Sequence, residues 1–332
     1  MSKFRVGITA DVLKADGLPI FGKDVLSLFD DPAIEWEYMA QPSVEISHEQ
    51  AARFDAICAM VTTVNANSRS GSDRRLKLIA RFGVGYDSID VPACTRAGVL
   101  LTIAPDGVRR PVATSALTFV LMLAQKVLIK DRLIRAGRWS EKSNHIGTGL
   151  TGRTLGSIGI GNIGAELFRL ARPLEMRCMA HDPLADPKLA AQIGVTLVDM
   201  DTLFRESDFL TVNCPLNENT RGLVSRRLIG LMKPSAYLIN TARGPIVDEQ
   251  ALYRALAENR IAGAGLDVFE EEPVAASNPL LGLDNVILTP HGICFTDECM
   301  RRLAESAFHA VLDLAHGRRP PHIVNPEALK AA

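Results

Sequence analysis

The sequence lacks several features that would place it in a specialised class of proteins. Its 37 Lys+Arg and 38 Asp+Glu residues nearly cancel, which gives no global attraction to nucleic acid or to an anionic membrane. The six cysteines include no CxxC pair, so we expect no metal site and reduced thiols, as in a cytoplasmic protein. The N-terminus has no apolar signal segment, and the run ALTFVLMLA (116–124) is far shorter than the roughly 20 residues that cross a bilayer.

Short apolar strand candidates alternate with helical patterns along the chain, without repeats or low-complexity segments. Examples are FRVGIT (4–9), VLLTI (99–103), TLGSIGI (154–160) and SAYLIN (235–240). This alternation predicts parallel sheets with helices on both faces, one before about residue 103 and one after about residue 150. A long helix is predicted between them over 109–137, with Pro111 in its first turn, where a proline loses no helical hydrogen bond.

A glycine-rich turn follows the strand candidate TLGSIGI. Gly159, Gly161 and Gly164 form GxGxxG directly before an amphipathic helix, the context in which this otherwise weak motif binds a dinucleotide. The helix N-terminus offers free N–H groups to a pyrophosphate. The next strand candidate ends in Asp182, whose carboxylate can accept hydrogen bonds from an adenosine ribose and repels a 2′-phosphate. The turn therefore predicts a dinucleotide site that favours NAD over NADP, with a purely structural glycine turn as the alternative.

Three complementary side chains follow strand candidates in the second half of the chain. Arg243 follows SAYLIN, Glu272 lies in the acidic run after GAGLDV, and His291 follows NVIL. Open α/β sheets bind ligands at these strand ends. A guanidinium can hold a carboxylate there, and a carboxylate beside an imidazole raises the pKa of the imidazole. Taken singly, the arginine could be a surface residue and the acidic run a solvated face, but together they indicate acid–base chemistry on a carbonyl.

The same residues make the sequence resemble the D-isomer-specific 2-hydroxyacid dehydrogenase family. The resemblance rests on FGVGYDSID (82–90), GRTLGSIGIGNIG (152–164), MKPSAYLINTARGPIVDEQAL (232–252), AGAGLDVFEEEP (262–273) and TPH (289–291). It implies an α/β protein with two Rossmann-like domains, in which a GxGxxG dinucleotide-binding domain is inserted into a flavodoxin-like substrate domain. It also implies that the NAD-binding Rossmann domain covers 104–295 and that the discontinuous substrate-binding domain covers 1–103 plus 296–332.

The resemblance further implies roles for individual residues. Arg243 would bind and polarise a 2-oxo acid, Glu272 would pair with His291, and His291 would exchange a proton with the carbonyl oxygen. The backbone amides of Val84 and Gly85 would bind the substrate carboxylate. Family members commonly form homodimers through the cofactor domain, so we expect a homodimer. The implied cofactor contacts are Gly159, Gly161, Asn162, Ile163, Gly164, Asp182, Cys214, Pro215, Thr220, Thr241, Ala242, Arg243, Asp267, His291 and Gly292.

The sequence departs from the family pattern where substrates are distinguished. Many relatives have an arginine–serine-rich loop after the third strand, whereas this chain reads VTTVNANSR (61–69), in which Asn65 could hydrogen-bond a hydroxylated substrate or merely form the turn. Arg69, Arg109 and Arg110 still allow a phosphorylated substrate. We expect NADH-dependent reduction of glyoxylate or hydroxypyruvate. The alternatives are 3-phosphoglycerate dehydrogenase activity without a regulatory domain and, in a different class, an NADH-sensing scaffold that resembles the C-terminal-binding co-repressors.

Overall fold

Two parallel β-sheets, each in its own unit, form the framework of the computed structural model, which describes residues 3–39, 45–64 and 75–330. The first unit consists of Met1–Pro111 and Phe295–Ala332, and the second of Val112–Cys294. Which unit binds the substrate stays a prediction. The strands are β1 (Phe4–Ile8), β2 (Ile34–Tyr38), β3 (Ala56–Ala59), β4 (Leu78–Arg81), β5 (Leu100–Thr102), β6 (Thr154–Ile158), β7 (Arg177–His181), β8 (Val195–Leu197), β9 (Phe209–Val212), β10 (Tyr237–Asn240), β11 (Gly263–Leu266) and β12 (Val286–Leu288).

Both α-helices and short stretches of 3-10 helix connect these strands. The α-helices are α1 (His48–Ala51), α2 (Val91–Arg96), α3 (Pro105–Ala124), α4 (Val127–Arg135), α5 (Asn162–Ala171), α6 (Pro187–Gln192), α7 (Met200–Glu206), α8 (Arg226–Ile229), α9 (Glu249–Ala257) and α10 (Asp297–Ala315). Stretches of 3-10 helix cover Ala10–Val12, Lys23–Phe29, Trp139–His145, Arg172–Leu174, Gly244–Ile246, Pro279–Gly282 and Pro326–Lys330.

The sheet of the first unit has the strand order β2-β1-β3-β4-β5, with all pairs parallel. This is the flavodoxin-like order 2-1-3-4-5, which confirms the predicted fold of this part of the chain. Sequence analysis did not find β2, because IEWEY alternates charged and apolar residues instead of forming an apolar run. The alternation reflects its place at the edge of the sheet, where side chains remain partly accessible.

The C-terminal part of the chain completes the first unit. In α10 the buried ring of Phe308 lies 4.3 to 5.9 Å, between centroids, from the rings of Phe21, Phe29 and Phe82. Farther along, the side-chain amide of Asn325 accepts a hydrogen bond from the N–H of Leu101 (2.8 Å) and donates one to the carbonyl of Val99 (2.9 Å). Residues from both ends of the sequence therefore share one core and one sheet edge.

The sheet of the second unit has seven parallel strands in the order β12-β11-β10-β9-β6-β7-β8. If β6 is counted as strand 1 and the sheet is read from the β8 edge, the order is 3-2-1-4-5-6-7. This is the doubly wound order 3-2-1-4-5-6 of dinucleotide-binding folds, extended by one strand. Strand β8 was not found from the sequence because it is a three-residue edge strand. The order reverses between β6 and β9, which pair with each other. Their carboxyl ends therefore lie side by side at the position where such sheets bind ligands.

The predicted long helix over 109–137 is wrong in its bounds and in its continuity. Helix α3 begins at Pro105, so Pro111 lies inside it and Pro105 is the proline in the first turn. The helix stops at Ala124 because Lys126 adopts a left-handed conformation (φ 51°), and α4 then continues at an angle of 56°. Among the described residues no single helix is long and apolar enough to cross a membrane. The bent pair of α3 and α4 has the necessary length and apolar composition only when the two helices are taken together.

Candidate active site

The glycine turn after β6 owes its shape to two positions that accept no side chain. Gly159 has a φ of 94°, and a Cβ there would lie 2.9 Å from the carbonyl oxygen of Asn213. A Cβ on Gly164 would lie 2.4 Å from the carbonyl oxygen of Gly159. Helix α5 can therefore pack this closely on β6 only with glycine at both positions.

Gly161 is a glycine for a different reason, because the chain itself leaves room for a side chain there. A Cβ on Gly161 would meet no atom within 4 Å, and the residue is the N-cap of α5 without a side-chain hydrogen bond to the helix. Asn162 and Ile163 begin the helix. Open space beside uncapped N–H groups at a helix N-terminus fits the pyrophosphate of a dinucleotide, which needs close approach to the backbone.

Asp182 lies directly after β7 and is hydrogen-bonded to the glycine turn. Its Oδ2 accepts the N–H of Ile160 (3.0 Å), and its Oδ1 accepts the N–H of Leu184 (2.9 Å). The carboxylate is half-buried and fixed in direction. This geometry fits an acidic group that accepts hydrogen bonds from a ribose, since each oxygen keeps further acceptor capacity.

A buried polar network below the glycine turn was not recognised in the sequence. Ser157 donates to the carbonyl of Gly159 (2.6 Å), and the amide of Asn213 donates to the hydroxyls of Ser157 (2.9 Å) and Thr211 (3.0 Å). Thr211 in turn donates to the carbonyl of Gly156 (3.0 Å). These bonds join β6 to β9 beneath the turn. Polar residues inside otherwise apolar strands were the signal that could have identified the network.

The segment after β9 contains three of the predicted cofactor contacts, Cys214, Pro215 and Thr220. Thr220 donates to the carbonyl of Pro215 (2.6 Å), which closes the turn that follows Cys214. Burial raises the pKa of the Cys214 thiol to about 11, and the negative charge of Asp182 adds to this rise. Cys214 is therefore a neutral thiol near neutral pH, and its contribution is to packing rather than to charge or nucleophilic chemistry.

Arg243 follows β10 in a turn that the buried side chain of Asn240 stabilises. The Asn240 amide donates to the carbonyl of Arg243 (2.9 Å), and its Oδ1 accepts the N–H of Ala242 (3.0 Å), with Thr241 between them. A Cβ on Gly244 would lie 1.8 Å from the carbonyl oxygen of Phe269. Glycine at this position lets the Arg243 turn approach the segment that leads to Glu272. Neither Asn240 nor Gly244 was singled out from the sequence.

His291 and Glu272 form a hydrogen-bonded pair. The His291 Nδ1 lies 2.7 Å from Oε2 of Glu272, whose Oε1 accepts the N–H of Phe269 (2.9 Å). The hydrogen bond to Glu272 raises the pKa of His291, against burial and the charge of Arg243, which lower it. Burial would raise the pKa of Glu272, but hydrogen bonds from His291 and Phe269 hold it below its usual value. The pair therefore favours an imidazolium beside a carboxylate, with Nε2 of His291 left for another partner.

Asp267 fixes the loop that contains His291. Its buried Oδ1 accepts the hydroxyl of Thr289 (2.6 Å) and the N–H groups of Gly292 (2.9 Å) and Ile293 (3.1 Å). Its carbonyl accepts the N–H of His291 (2.8 Å). His291 has a φ of 50°, a conformation that costs on the order of 1–3 kcal/mol in a non-glycine residue. The hydrogen bonds of Asp267 offset this cost and hold the imidazole in place.

The predicted site residues fall into three groups. The second unit contains Arg243, Glu272, His291 and all predicted cofactor contacts, which lie in the segments that follow β6, β7, β9, β10, β11 and β12. Val84 and Gly85 lie in the first unit, after β4. Asn65 lies outside the described residues, as does Arg69.

Comparisons with known proteins show the family to which the chain is similar. The family model for D-isomer specific 2-hydroxyacid dehydrogenase, NAD binding domain, matches residues 117–292. A glyoxylate reductase of Korarchaeum cryptofilum is 36% identical over 89% of this chain and 90% of its own. A D-3-phosphoglycerate dehydrogenase of Archaeoglobus fulgidus is 40% identical over 76% of this chain and 48% of its own. A D-lactate dehydrogenase of Aquifex aeolicus, solved with NAD and lactic acid, has a TM-score of 0.81 at 27% identity, over 98% of this chain and 97% of that one.

Proposed function

Because the chain belongs to the D-isomer-specific 2-hydroxyacid dehydrogenase family, we propose that it reduces a short, polar 2-oxo acid, with glyoxylate and hydroxypyruvate as the first candidates. The chain is an NAD-dependent enzyme that interconverts a 2-oxo acid and a D-2-hydroxy acid. The observation on which the proposal depends is the 2.7 Å hydrogen bond between Glu272 and His291. That contact supplies a proton donor of suitable pKa at the strand ends of a dinucleotide-binding sheet.

The cofactor site is assigned to the glycine turn and its neighbours. Gly161 and the N-terminus of α5 would receive the pyrophosphate, and Asp182 would receive the adenosine ribose. The chemistry that NADH would supply when bound at this site is a hydride for the carbonyl carbon. We propose a preference for NAD over NADP, because a 2′-phosphate would meet the fixed negative charge of Asp182.

In the proposed mechanism the protein residues orient the acid and transfer the proton. The guanidinium of Arg243 would bind the substrate and polarise its carbonyl group. The N–H groups of Val84 and Gly85 would bind the carboxylate. His291 would donate the proton on Nε2 to the carbonyl oxygen during reduction, and the same nitrogen would accept that proton in the reverse reaction. Glu272 would hold the ring in this orientation and stabilise its charged form.

The proposal for the substrate rests on the relatives and on one feature of the chain. The Korarchaeum relative, which aligns over 89% of this chain, is named glyoxylate reductase, whereas the Archaeoglobus relative named D-3-phosphoglycerate dehydrogenase aligns over 76% of this chain. The stretch 61–69 reads VTTVNANSR, where many family members have an arginine–serine-rich loop that would suit a phosphate. Phosphoglycerate dehydrogenase activity remains the second candidate, since Arg109 and Arg110 are exposed cations.

The decisive test is an activity panel read at the absorbance of NADH. Glyoxylate, hydroxypyruvate, pyruvate, phosphohydroxypyruvate and phenylpyruvate are each offered with NADH and, in parallel, with NADPH. We expect the highest kcat/KM with glyoxylate or hydroxypyruvate and NADH. The matched control is His291→Ala, which should lose at least about 100-fold in kcat, yet still bind NADH, because it removes the proton donor and leaves the glycine turn intact. Full activity of this variant would refute the mechanism.

A sensing scaffold makes the opposite prediction in the same assay. Such a protein would bind NADH and a peptide partner but would turn over none of the acids. Binding without turnover across the panel would therefore favour the scaffold over the enzyme. The compartment we propose is the cytoplasm, where the six cysteines would stay reduced.

We also propose that the chain forms a homodimer through its second unit. Five apolar side chains there are exposed by 38 to 77%, on α3, on α4, and on or just after the 3-10 helix Trp139–His145. Exposed apolar residues on consecutive segments are typical of a surface that another chain covers. They are Leu121, Val127, Ile134, Trp139 and Ile146.

A further inference from the structure

A buried arginine ends one of the inner strands of the first sheet. Arg81 is the last residue of β4, its exposure is 8%, and β4 pairs with β3 on one side and with β5 on the other. Every residue of this strand is buried. An arginine in such a position is costly unless its guanidinium is hydrogen-bonded, so the contacts of Arg81 indicate what the residue does there.

The guanidinium of Arg81 binds the carbonyl of a residue four positions later. Its Nε and Nη2 both donate to the carbonyl oxygen of Gly85, at 3.1 and 3.0 Å. Two donors from one rigid, permanently charged group fix the direction of that carbonyl more firmly than a single neutral hydrogen bond would. The loop after β4 is thus folded back onto the end of its own strand.

A second contact holds the same loop on its other side. The carbonyl of Gly83 accepts the N–H of Ala104 (2.9 Å) from the chain that follows β5. Between these two fixed carbonyls lie the N–H groups of Val84 and Gly85, neither of which donates to an atom in the described part of the chain. The loop therefore has its carbonyls bound to the protein and two adjacent amide donors available, which is the arrangement that binds an anion.

We propose that Arg81 is a positioning residue for the substrate carboxylate. By holding the carbonyl of Gly85, it sets the direction in which the N–H groups of Val84 and Gly85 point, and its buried charge adds a fixed positive potential behind them. The inference rests on the proposed function, in which these two amides bind the carboxylate of the 2-oxo acid. Arg81 itself does not contact the substrate in this proposal.

The test compares Arg81→Lys and Arg81→Met with the wild type. Lysine keeps the charge but loses the two-pronged contact, and methionine loses both. We expect KM for glyoxylate, and the Kd of oxamate for the enzyme–NADH complex, to rise on the order of 10-fold or more, with the methionine variant affected more strongly. The values of kcat and of the Kd for NADH should change little, because only carboxylate binding is weakened. Oxamate is used because it keeps the carboxylate and is not reduced.

Arg75 provides the matched control for a merely structural effect. It lies before the opposite end of the same strand and makes a similar two-pronged contact, from Nε and Nη2 to Oδ2 of Asp55 (3.2 and 3.1 Å). The Arg75→Lys variant should lose thermal stability without any change in oxamate binding. Melting temperatures of all variants are measured beside the binding constants.

The outcomes separate the inference from the function on which it rests. If Arg81→Lys binds oxamate and glyoxylate as the wild type does, the inference is wrong and the proposed function stands. The same holds if Arg75→Lys weakens the binding of oxamate and glyoxylate as much as Arg81→Lys does. If Arg81→Met does not fold, the lysine variant decides. If the wild-type enzyme with NADH binds no oxamate and reduces no acid of the panel, the proposed function is wrong, and the inference falls with it.

Discussion

At the scale of single residues, His291 shows how a common side chain acquires a specific property. Its imidazole is partly exposed, so burial alone would not give it a special role. The hydrogen bond to Glu272 raises its pKa, and the loop held by Asp267 fixes its backbone at a positive φ. Orientation and protonation state are therefore set by two neighbours rather than by the histidine itself.

The raised pKa of His291 predicts the pH dependence of both directions. Reduction needs the imidazolium, which is present below the pKa and lost above it. The kcat/KM for reduction should therefore be constant at low pH and fall as pH rises through a pKa above the usual value for histidine. Oxidation of the 2-hydroxy acid needs the neutral ring and should rise through the same pKa.

The Glu272→Gln variant tests the cause of that shift. Without the carboxylate, burial and the charge of Arg243 remain to lower the pKa of His291, and only the smaller effect of the charge of Asp267 raises it. We expect the descending limb of the reduction profile to move to lower pH and kcat at neutral pH to fall on the order of 10-fold or more. Steady-state kinetics from pH 5 to about 10 would record this, and an unmoved profile would contradict the assignment of His291 as the acid.

At the scale of elements, the turn between β6 and α5 separates the two uses of glycine. Gly164 is required by packing, whereas Gly161 faces open space in the chain itself. We therefore expect substitution by alanine to lower stability at Gly164 and to affect only cofactor binding at Gly161.

Alanine variants of these glycines should distinguish folding from cofactor binding. Gly164→Ala places a Cβ 2.4 Å from the carbonyl oxygen of Gly159, so we expect a loss of about 1–3 kcal/mol in the free energy of unfolding and weaker NADH binding. Gly161→Ala should weaken NADH binding at least about 10-fold without loss of stability, because its methyl group would enter the pyrophosphate space. Gly149→Ala, with no neighbour within 4 Å, is the control and should change neither quantity. Denaturant unfolding and NADH fluorescence measure the two effects.

At the scale of the whole molecule, the proposed dimer leads to a test in solution. Sedimentation should give twice the mass of one chain. Trp139→Glu and Ile134→Glu each place a charge on the exposed apolar residues of the second unit and should shift the equilibrium toward monomer. Leu281→Glu, at an exposed apolar position in the 3-10 helix Pro279–Gly282, should not do so. A monomeric wild type at micromolar concentration would refute the proposal.

The fold class could be read from the sequence because it depends on local patterns. Apolar runs of strand length, separated by helical segments and glycine turns, allow few arrangements other than parallel α/β sheets. The edge strands β2 and β8 and the break at Lys126 were missed for the opposite reason. An edge strand needs less apolar sequence, and a left-handed lysine leaves no mark in the hydrophobic pattern.

The sequence by itself determined the family resemblance, the glycine turn, and the choice of Arg243, Glu272 and His291 as candidate site residues. It could do so because a given chemistry needs particular residue types in particular positions along the chain. Only the tertiary structure decided how these residues are held. The supporting residues are common polar residues, and their role depends on the group to which each is hydrogen-bonded. They are Asn240 in the Arg243 turn, Asp267 in the His291 loop, the Ser157–Thr211–Asn213 network, and Arg81, which binds the carbonyl of Gly85. The contacts of Asp267 and of the Ser157–Thr211–Asn213 network join segments that parallel pairing brings together, whereas those of Asn240 and Arg81 depend on how the turn after each strand folds. Hydrogen bonds of either kind leave no periodic signal in the sequence.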